Sequence, residues 1–126
     1  MPDGSLANKA KADVTNLDAL IIGAGFSGLY QLLSLRDKLG LRAKVVEAGD
    51  GVGGTWYWNR YPGARCDSES HSYSYYFDKE LLEEWQWSER YPGHAEVVKY
   101  LNYAADKLDL KRDINFNSKV VSAHYS

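Results

Sequence analysis

The stretch LDALIIGAGFSGLYQLLSLRDKLGLRAKVVE, Leu17 to Glu47, decides the fold of this 126-residue chain. It opens with a short apolar run, Leu17 to Gly23, rich in Ile and Leu, the pattern of a strand buried on both faces of a parallel sheet. Gly23, Gly25 and Gly28 follow in G-x-G-x-x-G spacing. Gly23 suits a tight turn, Gly25 lets a pyrophosphate lie against the backbone, and Gly28 lets the next helix pack close to the strand. Leu29, Leu32, Leu33 and Leu35 then cluster at helical spacing, predicting a helix from Phe26 to Leu39 that Gly40 ends. Its N-terminal N–H groups and positive dipole end would face the phosphates. Lys44 to Glu47 reads as the second strand of a βαβ unit. Glu47 stands nineteen positions after Gly28, close to the offset of the acid that accepts hydrogen bonds from an adenosine ribose. A carboxylate there suits a free 2′-hydroxyl and repels a 2′-phosphate, so this turn should hold FAD or NAD and not NADP. Six residues of G-x-G-x-x-G alone are a weak signal; the strand, helix and acid around them carry the weight.

Beyond Glu47 the chain reads GVGGTWYWNRYPGARCD from Gly51 to Asp67. The diglycine Gly53-Gly54 is what an FAD domain of the glutathione-reductase type needs, because the extended flavin passes back over this loop. Ordinary loop punctuation is the alternative for the same glycines.

Composition narrows the class. The formal net charge is −2, a quarter of the residues are charged, and no basic stripe interleaves with the aromatics, which argues against nucleic acid. No apolar run approaches the roughly 20 residues of a membrane span. Residues 1–16 lack an apolar core, are no signal peptide, and read as a flexible leader. The single cysteine, Cys66, has no internal disulfide partner, which fits a cytoplasmic setting; it reads as a packing residue in preference to a nucleophile. The chain holds four Trp and ten Tyr, concentrated between Trp56 and Tyr103. They either fill a core or line a cofactor surface, with Trp58 assigned to the core.

Further along, Asp78 to Trp87 predicts a short helix with Asp78 as N-cap. His94 to Leu110 predicts an amphipathic helix with Val97, Val98, Leu101, Ala104, Ala105 and Leu108 on one face. Asp113 to Asn117 and Val120 to Tyr125 read as strands. His71, His94 and His124 share no metal-ligand spacing, and of the three only His71 lies near a candidate site residue, Tyr73.

GAGFSG, the WYWNRYPGARCD block and EWQWSERYP together closely resemble the type I Baeyer–Villiger monooxygenases. The resemblance runs from Asp18 to the C-terminus. It implies an α/β fold: the N-terminal part of a doubly wound Rossmann-like FAD-binding domain over residues 17–126, with the rest of that domain and the NADP domain supplied in cis or by a second polypeptide. It implies FAD contacts at Gly23, Gly25, Phe26, Ser27, Gly28, Glu47, Gly54, Thr55 and Trp56. Asp67 and Tyr73 would lie beside the isoalloxazine, Asp67 as the catalytic candidate that orients a cation, and Val120 would touch the adenine. Arg65, Cys66 and Asp67 would sit where NADPH enters. The activity implied is conversion of a ketone, with NADPH and dioxygen, to an ester or lactone through a C4a-peroxyflavin. No second G-x-G-x-x-G occurs in these residues, so the chain alone is expected to be inactive. A non-catalytic dinucleotide-binding module is the alternative from a different class.

Overall fold

The computed structural model describes residues 16–125. The leader expected over 1–16 lies, but for Asn16, outside the described residues. Strand β1 (Ala19–Ile22) leads through the glycine turn into helix α1 (Phe26–Leu33), and β2 (Ala43–Val46) returns parallel to β1. One-turn helix α2 (Thr55–Trp58), short helix α3 (Lys79–Glu84) and the longer α4 (His94–Lys107) follow. A 3₁₀ turn, Lys111–Asp113, feeds β3 (Ile114–Asn115), which pairs parallel with β2. The sheet order is β1-β2-β3, so the second strand is central.

Pairing places Ile21 opposite Val45 and Val45 opposite Ile114, and all three are buried. That row faces a core built with Leu29, Leu32 and Leu33 of α1 and Val97, Leu101 and Ala104 of α4. The other face differs from expectation. Leu20 and Ile22 of β1 are exposed, because no described element covers that side of the sheet. The strand is apolar on both faces but buried on one.

The helix predicted to Leu39 is α-helical only to Leu33 and continues as a wider π turn, Ser34–Lys38, closed by Leu39 N–H to the Ser34 carbonyl. Gly40 follows at φ +66, the left-handed geometry its role as terminator requires. On that turn Arg36 reaches across to the carbonyls of Leu108 and Asp109 and to Asp113, pinning the end of α1 to the chain just beyond α4. Asp78 caps α3 by accepting from Leu81 N–H at 2.9 Å, but α3 stops at Glu84 and leaves Trp85 and Trp87 to pack on Tyr100. The amphipathic helix buries Val97, Leu101, Ala104 and Ala105 as expected, with Tyr100 added and Val98 and Leu108 half-buried.

Two strand expectations are corrected. Only Ile114–Asn115 of the 113–117 segment pairs, and Val120 to Tyr125 forms no strand. After β3, Asn117 takes φ +55, and Asn117 and Ser118 donate to the carbonyls of Gly49 and Glu47. That turn ends the ladder, and Val121 and Tyr125 stand exposed with no described strand beside them.

Candidate functional site

Between β1 and α1 the chain turns at Gly23, whose φ is +98. A Cβ on Gly28 would fall 1.9 Å from the Gly23 carbonyl oxygen, so only glycine lets the helix start this close to the turn. No side chain caps α1 and no acid stands in its first turn. Its first N–H groups are therefore available to an anion.

The diglycine loop closes over this turn. A Cβ on Gly25 would meet the Gly54 Cα at 3.3 Å, and one on Gly54 would meet the Gly25 Cα at 2.9 Å. The Ala24 peptide between the site glycines is held from both sides. Its N–H donates to Glu47 Oε1 at 2.8 Å, and its carbonyl accepts from Gly53 N–H at 2.9 Å. Glu47 Oε2 accepts from Gly49 N–H at 2.7 Å. The buried Glu47 carboxylate thus ties both glycine loops together, a task its spacing does not announce. Each oxygen keeps a second lone pair for a ribose hydroxyl.

Two cavities meet at Gly23 and Ile22. The larger, about 480 Å³, is lined by Gly25, Phe26, Ser27 and Gly28 on one side and Thr55, Trp56 and Tyr73 on the other. The smaller, about 260 Å³, is lined by Glu47, Gly54, Trp58, Lys119 and Val120. The structure thereby gathers eleven of the expected residues into one elongated groove bent around the glycine turn. Arg65, Cys66 and Asp67 line neither cavity. Arg65 pairs with Glu89 at 2.8 Å and donates to the Tyr91 carbonyl. Cys66 is buried, its N–H bonded to the Pro92 carbonyl, which fits the packing reading. Asp67 is exposed.

The aromatic density serves both purposes between which composition could not choose. Trp56 donates its Nε1–H to the Tyr73 hydroxyl at 3.1 Å, and Tyr73 meets Phe26 edge-on at 4.9 Å, forming the wall of the larger cavity. Behind it, Tyr75 donates to the Phe26 carbonyl at 2.6 Å, and Tyr75 N–H donates to the Tyr100 hydroxyl at 2.8 Å. Burial pushes the Tyr75 phenol well above its ordinary range, so it remains a donor. This relay anchors the cavity wall to α4.

Trp58 is a correction. It is not core: it is 59% exposed and lines the smaller cavity. Positions two apart on one helical turn point about 200° apart, so Trp56 packing inward sends Trp58 outward. That spacing is the signal that could have separated them. Gln31 was also missed. It lines the larger cavity and donates to Ser27 Oγ at 2.9 Å, a pair four residues apart at the start of α1. Gly49 and Gly51 lie against the Tyr57 ring, where added Cβ atoms would come as close as 2.5 Å, and Gly53 lies against the Tyr57 backbone and Cβ. Most of this glycine run therefore accommodates Tyr57, while Gly53, through its N–H to the Ala24 carbonyl, and Gly54 meet the phosphate turn.

His71 is exposed and sits 3.2 Å from Glu69, away from both cavities, and α4 begins at His94. Among the described residues no group of three potential metal ligands occurs, and no helix is long and apolar enough to cross a membrane.

A parallel βαβ unit with an uncapped helix start, backbone-lined by glycine and flanked by a buried acid, defines a Rossmann-type dinucleotide-binding protein. The family model of the NAD(P)-binding Rossmann-like domain matches residues 21–84, 64 of the 126 positions, and the chain belongs to that family. Relatives of 45–53% identity are Baeyer–Villiger and related flavin monooxygenases. Acetone monooxygenase (methyl acetate-forming) of Gordonia sp. (strain TY-5) is 53% identical over 109 residues, 86% of this chain and 20% of that protein. Phenazine N-monooxygenase PhzNO1 of Lysobacter antibioticus is 48% identical over 88% of this chain and 20% of its own length. The crystal structure of OTEMO complexed with FAD and NADP superposes with a TM-score of 0.81 at 46% identity, covering 87% of this chain and 20% of that one. The chain spans about a fifth of the length of the curated relatives it matches.

Proposed function

We propose that this chain is the N-terminal, FAD-binding part of a flavoprotein monooxygenase that uses NADPH and dioxygen to convert a ketone to an ester or lactone. The observation that carries the cofactor is the bent groove: two cavities joined at a glycine cradle whose backbone contacts leave no room for a Cβ. A pyrophosphate fits the cradle, with one nucleotide end on each side. Glu47 at the smaller cavity favours a ribose with a free 2′-hydroxyl, which selects FAD over NADP for this groove. The kinship with flavin monooxygenases supports the reaction class.

Within that reading the bound flavin supplies the electron and oxygen chemistry, and these residues bind and orient it. The first N–H groups of α1 hold the phosphates. Glu47 keeps the Ala24 and Gly49 amides in place while accepting the ribose. Trp56, Tyr73 and Phe26 form a rigid, water-excluding wall for the flavin end. Arg65, Cys66 and Asp67 border the NADPH approach, and Asp67 orients a cation contributed by the remaining polypeptide, in cis or as a second chain. A cytoplasmic protein acting on a small-molecule ketone completes the proposal.

The test compares the intact protein carrying this segment with the 126-residue chain alone. The intact protein should purify yellow and oxidise NADPH in a ketone-dependent manner with stoichiometric ester. The chain alone should hold flavin weakly and show no such turnover. In the intact protein, Asp67→Ala should retain FAD yet release hydrogen peroxide in place of ester, read as NADPH consumed per ester formed. Ester formation by the isolated chain, or full coupling in Asp67→Ala, would overturn the corresponding assignment. A second reading rests on the phenazine N-monooxygenase kinship: oxygen transfer to a ring nitrogen. N-oxide formation from a phenazine with no ester from any ketone would select it.

A further inference from the structure

Asp67 stands where two antiparallel segments fall out of step. Arg65 bridges to Gly93 across this contact, with Cys66 N–H donating to the Pro92 carbonyl at 2.8 Å and His94 N–H to the Ala64 carbonyl at 3.0 Å. Continued in step, the pairing would have Ser68 N–H donate to the Arg90 carbonyl. Ser70 N–H takes that place instead, at 2.6 Å. Two extra residues are therefore extruded between Cys66 and Ser70 as a bulge, on which Asp67 and Ser68 are both exposed. Pro92 favours the departure, because it has no N–H to return to the Cys66 carbonyl. Charge decides between the two registers. In step, Glu69 would face Glu89, two like charges across the contact. In the bulged register the Glu69 carboxylate accepts from Arg90 Nε at 3.0 Å and from its Nη2, and His71 Nε2 lies 3.2 Å from the other Glu69 oxygen. Glu89 pairs with Arg65 at 2.8 Å.

Resting on the reading of Asp67 above, we propose that Arg90 is a positioning residue: by clasping Glu69 it holds the bulged register and sets the place from which Asp67 orients its cation. Arg90 lines neither cavity of the groove, so it acts on the reaction through Asp67. Slippage to the in-step register would take up the two extruded residues and draw Asp67 back onto the facing segment. The same turn reaches the flavin wall, since the carbonyls of Glu69 and Ser70 both accept from Tyr73 N–H at 3.1 Å. The Arg90 side chain is 70% exposed and that of Glu69 32%, so the pair tunes a balance between registers and does not hold the fold.

Coupling in the intact protein, read as hydrogen peroxide released per ester formed, tests this. Arg90→Gln should keep its FAD and its melting temperature while raising that ratio about two- to fivefold, the range open to an exposed ion pair. Glu69→Gln should match it, and covers the case in which the Arg90 variant does not fold. Arg90→Lys keeps the charge and should recover part of the loss. The double variant Asp67→Ala/Arg90→Gln should be no worse coupled than Asp67→Ala alone, because the two residues act in series. A further, independent loss in the double variant would overturn the inference. So would full coupling in both Arg90→Gln and Glu69→Gln beside an uncoupled Asp67→Ala; either result leaves the reading of Asp67 intact. Full coupling in Asp67→Ala would sink that reading and the inference with it.

Discussion

On one face of the sheet Ile21, Val45 and Ile114 lie in a cross-strand row and all are buried; one position further along, Ile22, Val46 and Asn115 form the row on the opposite face, where Ile22 is 65% exposed. The strands are equally apolar at the two β1 positions, so composition does not account for the difference. The covered row has α1 and α4 over it. The open row has the two cavities, and Ile22 lines both of them. An apolar side chain that contributes to stability on the first face is available to a ligand or further polypeptide on the second.

The largest way to break this contrast is to remove the covered face itself. Gly28→Ala places a methyl group 1.9 Å from the Gly23 carbonyl, against backbone that cannot move without shifting α1 off β1. We expect a loss on the order of 3–5 kcal/mol, seen as a collapsed thermal transition and a poor soluble yield, with flavin binding lost as well. A wild-type melting curve would mean that the turn is looser than these contacts indicate.

Ile21 and Ile22 sharpen the comparison directly. Ile21→Ala should destabilise the 126-residue chain by about 2–4 kcal/mol, from lost burial plus the cavity left behind. Ile22→Ala should stay within about 0.5 kcal/mol, as exposed positions do. Paired urea denaturation curves decide it, and equal effects would mean that both faces are covered in solution. In the intact protein the Ile22 penalty should rise towards that of Ile21 if additional chain packs on the open face.

The smallest effect lies away from both faces. Asp78→Ala removes the acceptor for Leu81 N–H and should cost about 1 kcal/mol through α3 alone. Flavin affinity of the intact protein should not change. A coupled loss of flavin would show that α3 transmits to the site through Leu81, which is fully buried in the core.

Much of this was legible before any coordinates. The order of strand, turn, helix, strand and acid follows from local rules: apolar runs, glycine spacing and a cap residue each act within a few positions of themselves. The groove's glycine and Glu47 positions came from that pattern, and the Phe26, Ser27, Thr55, Trp56, Tyr73 and Val120 positions from the resemblance. Asp78 as a cap and the buried face of α4 were equally local. The segment from Val120 to Tyr125 misled because alternation is necessary for a strand but pairing makes one, and the Asn117–Ser118 turn takes the chain off the ladder.

What only the tertiary structure decided concerns contacts between segments distant in the chain. Glu47 reaches Ala24 across 23 positions and so becomes a strut for the phosphate turn as well as a ribose acceptor. Trp56 and Trp58 are indistinguishable by composition, and their separation into wall and open surface depends on which side of a single helical turn meets the core. Gly49 and Gly51 are ordinary loop glycines until the Tyr57 ring is seen against them. Local propensity acts through the backbone and can be read in order along the chain. Burial, by contrast, is settled by what arrives from elsewhere: spacing within a segment shows which residues share a face, and the packing partner decides which face is covered.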